Sequence, residues 1–276
     1  MKQTPQHCMR YLFVLLIIIN CCLLNAASVD TISIYSNSMK KSYKCVVIKP
    51  ASYKRKSNRY PVVYLLHGYG GNYANWIRRV PGLTELADEN QSIIVCPDGA
   101  AGSWYFDSPV DSSMRFETYV AREIPAFIDS TYRTIADRKH RAIAGLSMGG
   151  HGALFLAFRH SEIFGACGSM SGALDVSKIT RGYDMQKRLG DTLKNQKYYN
   201  DWSVVNAIEK YPQDSLAIII DCGTEDIIFP MSKATHEKMM RFKIPHDYVE
   251  RPGRHDWPYW ANAVRYQMLF FRHFFQ

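Results

Sequence analysis

The 276-residue chain has no low-complexity tract, no internal repeat of solenoid period and no long block of like charge. These absences exclude disordered, solenoid and charged-tail classes. Cysteine is sparse, at seven residues, and its spacings suit neither a small disulfide framework nor a zinc site. The segment "HEKMM" (236–240) lacks the second histidine of a metalloprotease helix. Lysine and arginine outnumber aspartate and glutamate by 34 to 25, but they are scattered, as in "KRKSNR" (54–59) and "RR" (78–79). Without a basic stripe or a known module, no nucleic-acid partner is expected. A formal charge of +9 fits a solvated surface that favours an acidic or anionic polymer nearby.

What is present is ample apolar material. Hydrophobic residues make up 47% of the chain and aromatics 13%, enough for one large core in a single domain over 28–276. The first 27 residues stand apart. Lys2 and Arg10 precede the apolar run "YLFVLLIII", and Ala26, Ala27 and Ser28 follow it. A basic start, a short apolar stretch and a small-residue exit describe a secretory signal peptide over 1–27 and a secreted or periplasmic protein. The run stops at Asn20, short of a membrane span, so no stable span is expected in the mature chain. The competing view is an uncleaved anchor. A lipid-anchored form at Cys21 or Cys22 is disfavoured by Asn20 before them. Removal of the leader leaves Cys45, Cys96, Cys167 and Cys222 in apolar, strand-like contexts, where buried free thiols are the simpler expectation than disulfides.

Strand-like runs recur at 31–36, 43–50, 60–68, 92–99, 140–147, 164–172, 216–223 and 246–253. Several are apolar throughout, as a strand buried on both faces requires. Helical spacing fills the intervals, at 82–90, 114–132, 149–160, 231–243 and 259–275. In the 114–132 segment Phe116, Val120, Ile124 and Ile128 share a face, with Pro125 a candidate kink. Alternation of strand and helix predicts an α/β fold: a mostly parallel central sheet with helices on both faces, opened by an antiparallel pair joined through "NSMKK". Residues 173–211 break the rhythm. They are polar and aromatic and too long for a simple connection. A helical excursion over the strand ends is expected there, acting as a lid or substrate wall.

The segment "HRAIAGLSMGGHGAL" reads strand, then G-x-S-x-G, then helix. Gly145 and Gly149 give clearance for a tight turn that lifts Ser147 to the carboxyl end of the sheet. Gly150 and Gly152 let the following helix pack closely on the sheet. The Met148 N–H, opening that helix, can face a developing oxyanion. A serine needs a base, and the base needs an orienting acid; in α/β-hydrolases these follow in the order Ser, Asp/Glu, His. Downstream, "IIIDCGTEDIIF" offers Asp226 in the loop after a strand, with Glu225 and Asp221 as weaker alternatives. "RPGRHDWPYW" then places His255 before the last helix. His151, His160, His236, His246 and His273 fit worse, being on helices or before a strand. "YLLHGYGGN" supplies a glycine-rich turn for a second oxyanion donor, and His67 within it suits loop bracing.

The ordered set "YLLHGYGGN", "PDGAAGSWYFDSP", "ETYVAREIPAFID", "AIAGLSMGGHGAL", "DCGTED" and "GRHDWPYW" resembles the Putative esterase family of α/β-hydrolases. That family holds the feruloyl and acetylxylan esterases of carbohydrate esterase family one. S-formylglutathione hydrolase (esterase D) and the antigen 85 mycolyltransferases are related to them. The resemblance runs from about residue 30 to 276. It implies Ser147 as nucleophile, His255 as base, Asp226 as acid and the Tyr69 and Met148 amides as oxyanion donors, with no metal and no cofactor. It further implies a serine esterase acting on an ester of a polysaccharide or oligosaccharide, most simply feruloyl or acetyl groups on xylan. Trp76, Trp104, Trp257 and Trp260 are candidate substrate-stacking residues. The alternatives are an S-formylglutathione hydrolase-like or broad short-chain esterase and, in another class, a non-catalytic binding module on a hydrolase scaffold.

Overall fold

The computed structural model describes residues 26–179, 181–210 and 216–276. The expected leader therefore lies, up to residue 25, outside the described residues. Eight strands form one sheet: β1 (Ser28–Ser36), β2 (Lys41–Lys49), β3 (Val62–Leu66), β4 (Ile93–Pro97), β5 (Arg141–Leu146), β6 (Ala166–Met170), β7 (Ala217–Gly223) and β8 (Asp247–Arg251). Their spatial order is β1-β2-β4-β3-β5-β6-β7-β8. β1 and β2 pair antiparallel, as does β2 with β4; every other pairing is parallel. The antiparallel start and the parallel body are those the sequence predicts. β1 begins three residues earlier than its apolar pattern, because Ser28 pairs through the main chain with Lys49.

The central strands are apolar on both faces because both are covered. Val62, Tyr64 and Leu66 of β3 enter one core, Val63 and Leu65 the other. On the first face lie α3 (Ile124–Thr131), α4 (Met148–Arg159) and α8 (Phe229–Arg241), through residues such as Ile128, Leu154 and Met239. On the second lie α1 (Asn75–Arg79), α2 (Leu83–Glu89) and α9 (Trp257–Phe274), through Trp76, Leu86 and Phe271. The kink foreseen at Pro125 takes the form of a π turn, Tyr119–Glu123, directly before α3. Proline has no N–H to return to the carbonyl four residues back, and the wider turn absorbs that loss. Phe116, Val120, Ile124 and Ile128 are all fully buried.

Among its described residues the excursion after β6 contains three short α-helices, α5 (Met185–Leu189), α6 (Gln196–Asp201) and α7 (Val204–Ala207). It is tied to the loop after β4. The Trp104 indole N–H donates to Tyr183 O at 2.7 Å, the Ser108 hydroxyl to Arg188 O at 2.6 Å, and Arg188 pairs with Asp111 at 3.0 Å. His151 of α4, fully buried, donates from Nε2 to Trp202 O at 2.9 Å. Burial pulls its pKa down to about 4, so it is a neutral brace. Cys45, Cys96, Cys167 and Cys222 are all free and buried. Among the described residues no helix is long and apolar enough to cross a membrane.

Two features of the topology place the site. Chain order reverses about β3, which has β4 on one side and β5 on the other. The loops leaving β3 and β5 thus diverge and open a crevice at the carboxyl end of the sheet. The β3–β5 register pairs Leu66 with Gly145, so the loop starting at His67 faces the turn at Ser147.

Candidate active site

Ser147 joins β5 to α4 with φ +53° and ψ −118°. The turn is held by its N–H, which donates to Met170 O at 3.0 Å, and by its carbonyl, which accepts from His151 N–H at 3.0 Å. The flanking glycines are required by contact. A Cβ on Gly145 would lie 2.3 Å from Gly149 O, and one on Gly149 would lie 2.5 Å from Leu66 O. Gly150 abuts Gly172 and Ser169 at the end of β6, whereas Gly152 abuts the Tyr105 ring. The second of these helix glycines therefore admits a loop aromatic and not the sheet.

The β7–β8 register pairs Gly223 with Arg251 and brings the next two loops together. Thr224 N–H donates to Arg251 O at 2.8 Å and Glu225 N–H to Gly253 O at 3.0 Å. Asp226 is thereby turned inward, at 5% exposure. His255 Nδ1 lies 2.9 and 3.0 Å from its two carboxylate oxygens, and His255 Nε2 lies 2.9 Å from Ser147 Oγ. A carboxylate only accepts, so Nδ1 carries the proton and Nε2 is left to accept from the serine hydroxyl. Burial pushes the Asp226 pKa up, but hydrogen bonds from His255 and the Ile228 N–H outweigh it and hold the carboxyl below its ordinary value. Glu225 faces solvent and pairs with Arg254 at 3.1 Å. Asp221 is fully buried and bonded by Arg251 and by the Tyr259 hydroxyl. Neither alternative acid meets the histidine. The Asp221–Arg251–Tyr259 cluster ties β7, β8 and α9 together beneath the two loops; its members are distant in sequence and share no spacing that would signal it.

The glycine-rich loop after β3 is braced by His67, whose Nε2 accepts from Gly99 N–H at 2.8 Å while Nδ1 bonds Gly68 O at 2.8 Å. Burial lowers its pKa, as befits a neutral brace. Gly70 N–H donates to Ala101 O and Gly71 N–H to Gly68 O. Among the described residues the Tyr69 and Met148 amides have no acceptor, and both residues sit beside Ser147. Gly68 approaches so closely that a Cβ there would lie 3.4 Å from that of Ser147.

Above these groups opens a cavity of about 710 Å³ reaching Ser147 and His255. Trp104, Trp257 and Trp260 line it, and Trp260 meets the His255 ring edge-on at 4.9 Å. Trp76 does not line it, which corrects the sequence expectation. Its indole N–H donates to Leu66 O at 3.1 Å and its ring is fully buried in the core beneath Trp257. Tyr183, Ile227, Ile228 and Met231 also form walls. Of these, Tyr183 comes from the excursion that the sequence marked as a wall; the others gave no local signal. Among the described residues no group of three or more histidine, cysteine or acidic side chains is placed to hold a metal ion.

Known proteins resemble this chain in sequence and in fold. The family model described as Putative esterase matches residues 36–270. An acetyl esterase of Caldicellulosiruptor saccharolyticus is 27% identical over 253 residues, covering 84% of this chain and 94% of that protein. The endo-1,4-beta-xylanase/feruloyl esterase of Xylanibacter ruminicola is 33% identical over 162 residues, which is 54% of this chain and 22% of that protein. Among solved structures, a ferulic acid esterase superposes with a TM-score of 0.80 at 28% identity, covering 91% of this chain and 99% of that one.

Proposed function

Because the chain belongs to the Putative esterase family and is a serine esterase, we propose that it removes feruloyl or acetyl groups from xylan after export, using Ser147, His255 and Asp226. The observation that carries this reading is the continuous hydrogen-bonded series from Ser147 Oγ through His255 to Asp226. Ser147 attacks the ester carbonyl while His255 Nε2 takes its proton. Asp226 keeps the imidazole oriented and stabilises the imidazolium. The Tyr69 and Met148 amides receive the oxyanion, where one such donor is typically worth about 3 kcal/mol. Protonated His255 then delivers its proton to the leaving alcohol, and water repeats the sequence on the acyl-enzyme.

The substrate assignment draws support from relatives named as acetyl, feruloyl and ferulic acid esterases and from Trp104, Trp257 and Trp260 around the cavity, whose rings suit an aromatic acid or a sugar face. Export rests on the basic start, apolar run and small-residue exit of residues 1–27. The test is a panel of methyl ferulate, acetylated xylan, p-nitrophenyl acetate and S-formylglutathione. Turnover of the first two, lost in Ser147→Ala protein, is expected. Turnover of S-formylglutathione or p-nitrophenyl acetate alone would replace the xylan reading with a thioester or short-chain esterase. No turnover of any would leave a binding module.

A further inference from the structure

The cavity over Ser147 carries charge of one sign. Arg79, at the end of α1, and Lys178 and Arg181, early in the excursion, line it together with Ser147 and His255, and among the described residues no aspartate or glutamate does. The two carboxylates bonded to lining side chains are already engaged. Asp226 is buried behind His255. Asp184, which accepts from the Tyr69 hydroxyl, is ion-paired with Lys187 at 2.8 Å. Some exposed cations elsewhere find partners, Arg122 with Glu162 and Arg254 with Glu225, and others, such as Arg78 and Lys233, face solvent on the open surface and not a concavity. Arg79, Lys178 and Arg181 are exposed, and among the described residues none of them forms an ion pair.

Three unpaired cations around one concavity repel each other and hold a positive potential, which the apolar walls of Trp257, Trp260 and Ile227 focus. A neutral ester leaves that potential unused. We propose that the site takes esters whose alcohol side bears carboxylates, namely an acylated oligosaccharide with uronate residues near the acylated sugar. The inference rests on Ser147 being the nucleophile of this cavity and narrows its substrate class. The tryptophans offer faces for sugar rings, while the guanidinium groups of Arg79 and Arg181 can each take a carboxylate through two N–H donors. The two lysine and arginine positions of the excursion, Lys178 and Arg181, are the specificity-determining residues.

The test measures inhibition of p-nitrophenyl acetate hydrolysis by trigalacturonate, xylotriose and tricarballylate, at low and high salt. Trigalacturonate is expected to inhibit about tenfold more strongly than xylotriose at low salt, as a few exposed charge contacts together allow. High salt should shrink that ratio, and so should the Lys178→Gln/Arg181→Gln double variant. Equal inhibition by the two trisaccharides, or a ratio unchanged in the double variant, would overturn the inference. Tricarballylate as potent as trigalacturonate would assign the cations to a free carboxylic acid and overturn the uronate assignment. These failures are separable from failure of the esterase mechanism: that would show as undiminished p-nitrophenyl acetate turnover by Ser147→Ala protein.

Discussion

At Ser147 the backbone sits at φ +53°, a region that costs a residue with a Cβ about 1–3 kcal/mol. The turn is held by the main-chain bonds of Ser147 to Met170 and His151 and brings Gly145 against Gly149 and Leu66. Gly149→Ala puts a methyl group against both Leu66 O and His67 O; thermal melts should show a loss of about 2–4 kcal/mol, with activity falling alongside. The oxyanion assignment separates backbone from side chain. Tyr69→Ala keeps the amide and should retain most of kcat on p-nitrophenyl acetate, whereas Tyr69→Pro removes the N–H and should lose about 10²–10³-fold. Equal effects of the two would place the donor elsewhere. Asp226→Asn should leave the fold intact and lower kcat by about 10⁴-fold, by turning the His255 tautomer the wrong way. Much of this was legible as spacing. G-x-S-x-G needs small residues for contact reasons that act within a few positions. Trp76 was not legible, because whether an indole faces a cavity or the sheet depends on which carbonyl takes its N–H, here Leu66 O. Trp76→Ala should therefore act on stability, costing about 3–5 kcal/mol in a denaturant titration.

Elements are joined by a few buried polar contacts that periodicity does not reveal. The strand and helix pattern follows from which residues are apolar, so the sheet and its two covering layers were readable. The π turn before α3 was readable only as a kink, since proline reports the missing hydrogen bond but not how the chain responds. Glu117 illustrates the unreadable part. Lying just before that turn, at 6% exposure, it accepts from Arg159 at 2.8 Å and from His160 at 2.9 Å, at the end of α4. Burial pushes its pKa up, but these two partners outweigh burial and hold it below the ordinary value. A depressed carboxyl adds stability that is fully present above its unfolded-state pKa, about 4.3, and is lost as pH falls through the lower folded value. Glu117→Gln should thus be less stable than wild type by about 1–2 kcal/mol at neutral pH, and melts at descending pH should show the gap closing below about pH 4. A gap constant with pH would mean that the ion pairs contribute nothing.

Across the whole molecule, the reversal of strand order about β3 determines where chemistry can occur. It sets the loop at Tyr69 opposite the turn at Ser147, while β7 and β8 deliver Asp226 and His255 from the same end of the sheet. The order of motifs in the sequence carried that arrangement. The cavity walls were not carried, because Arg79 at the end of α1, Lys178 and Tyr183 in the excursion and Ile227 after β7 come from three separate segments with no shared spacing. Among the described residues cohesion rests on two apolar cores without covalent ties, since Cys45, Cys96, Cys167 and Cys222 are free and buried. A reducing agent should accordingly leave the melting temperature of the leader-free chain unchanged. The central claim, that Ser147 is the acyl-accepting nucleophile of an esterase, is tested most directly by labelling with a fluorophosphonate and mapping the adduct by peptide mass. The account predicts one adduct, on Ser147, with activity lost in proportion to labelling and no adduct in Ser147→Ala protein. An adduct on another residue, or full turnover after Ser147 is modified, would contradict it.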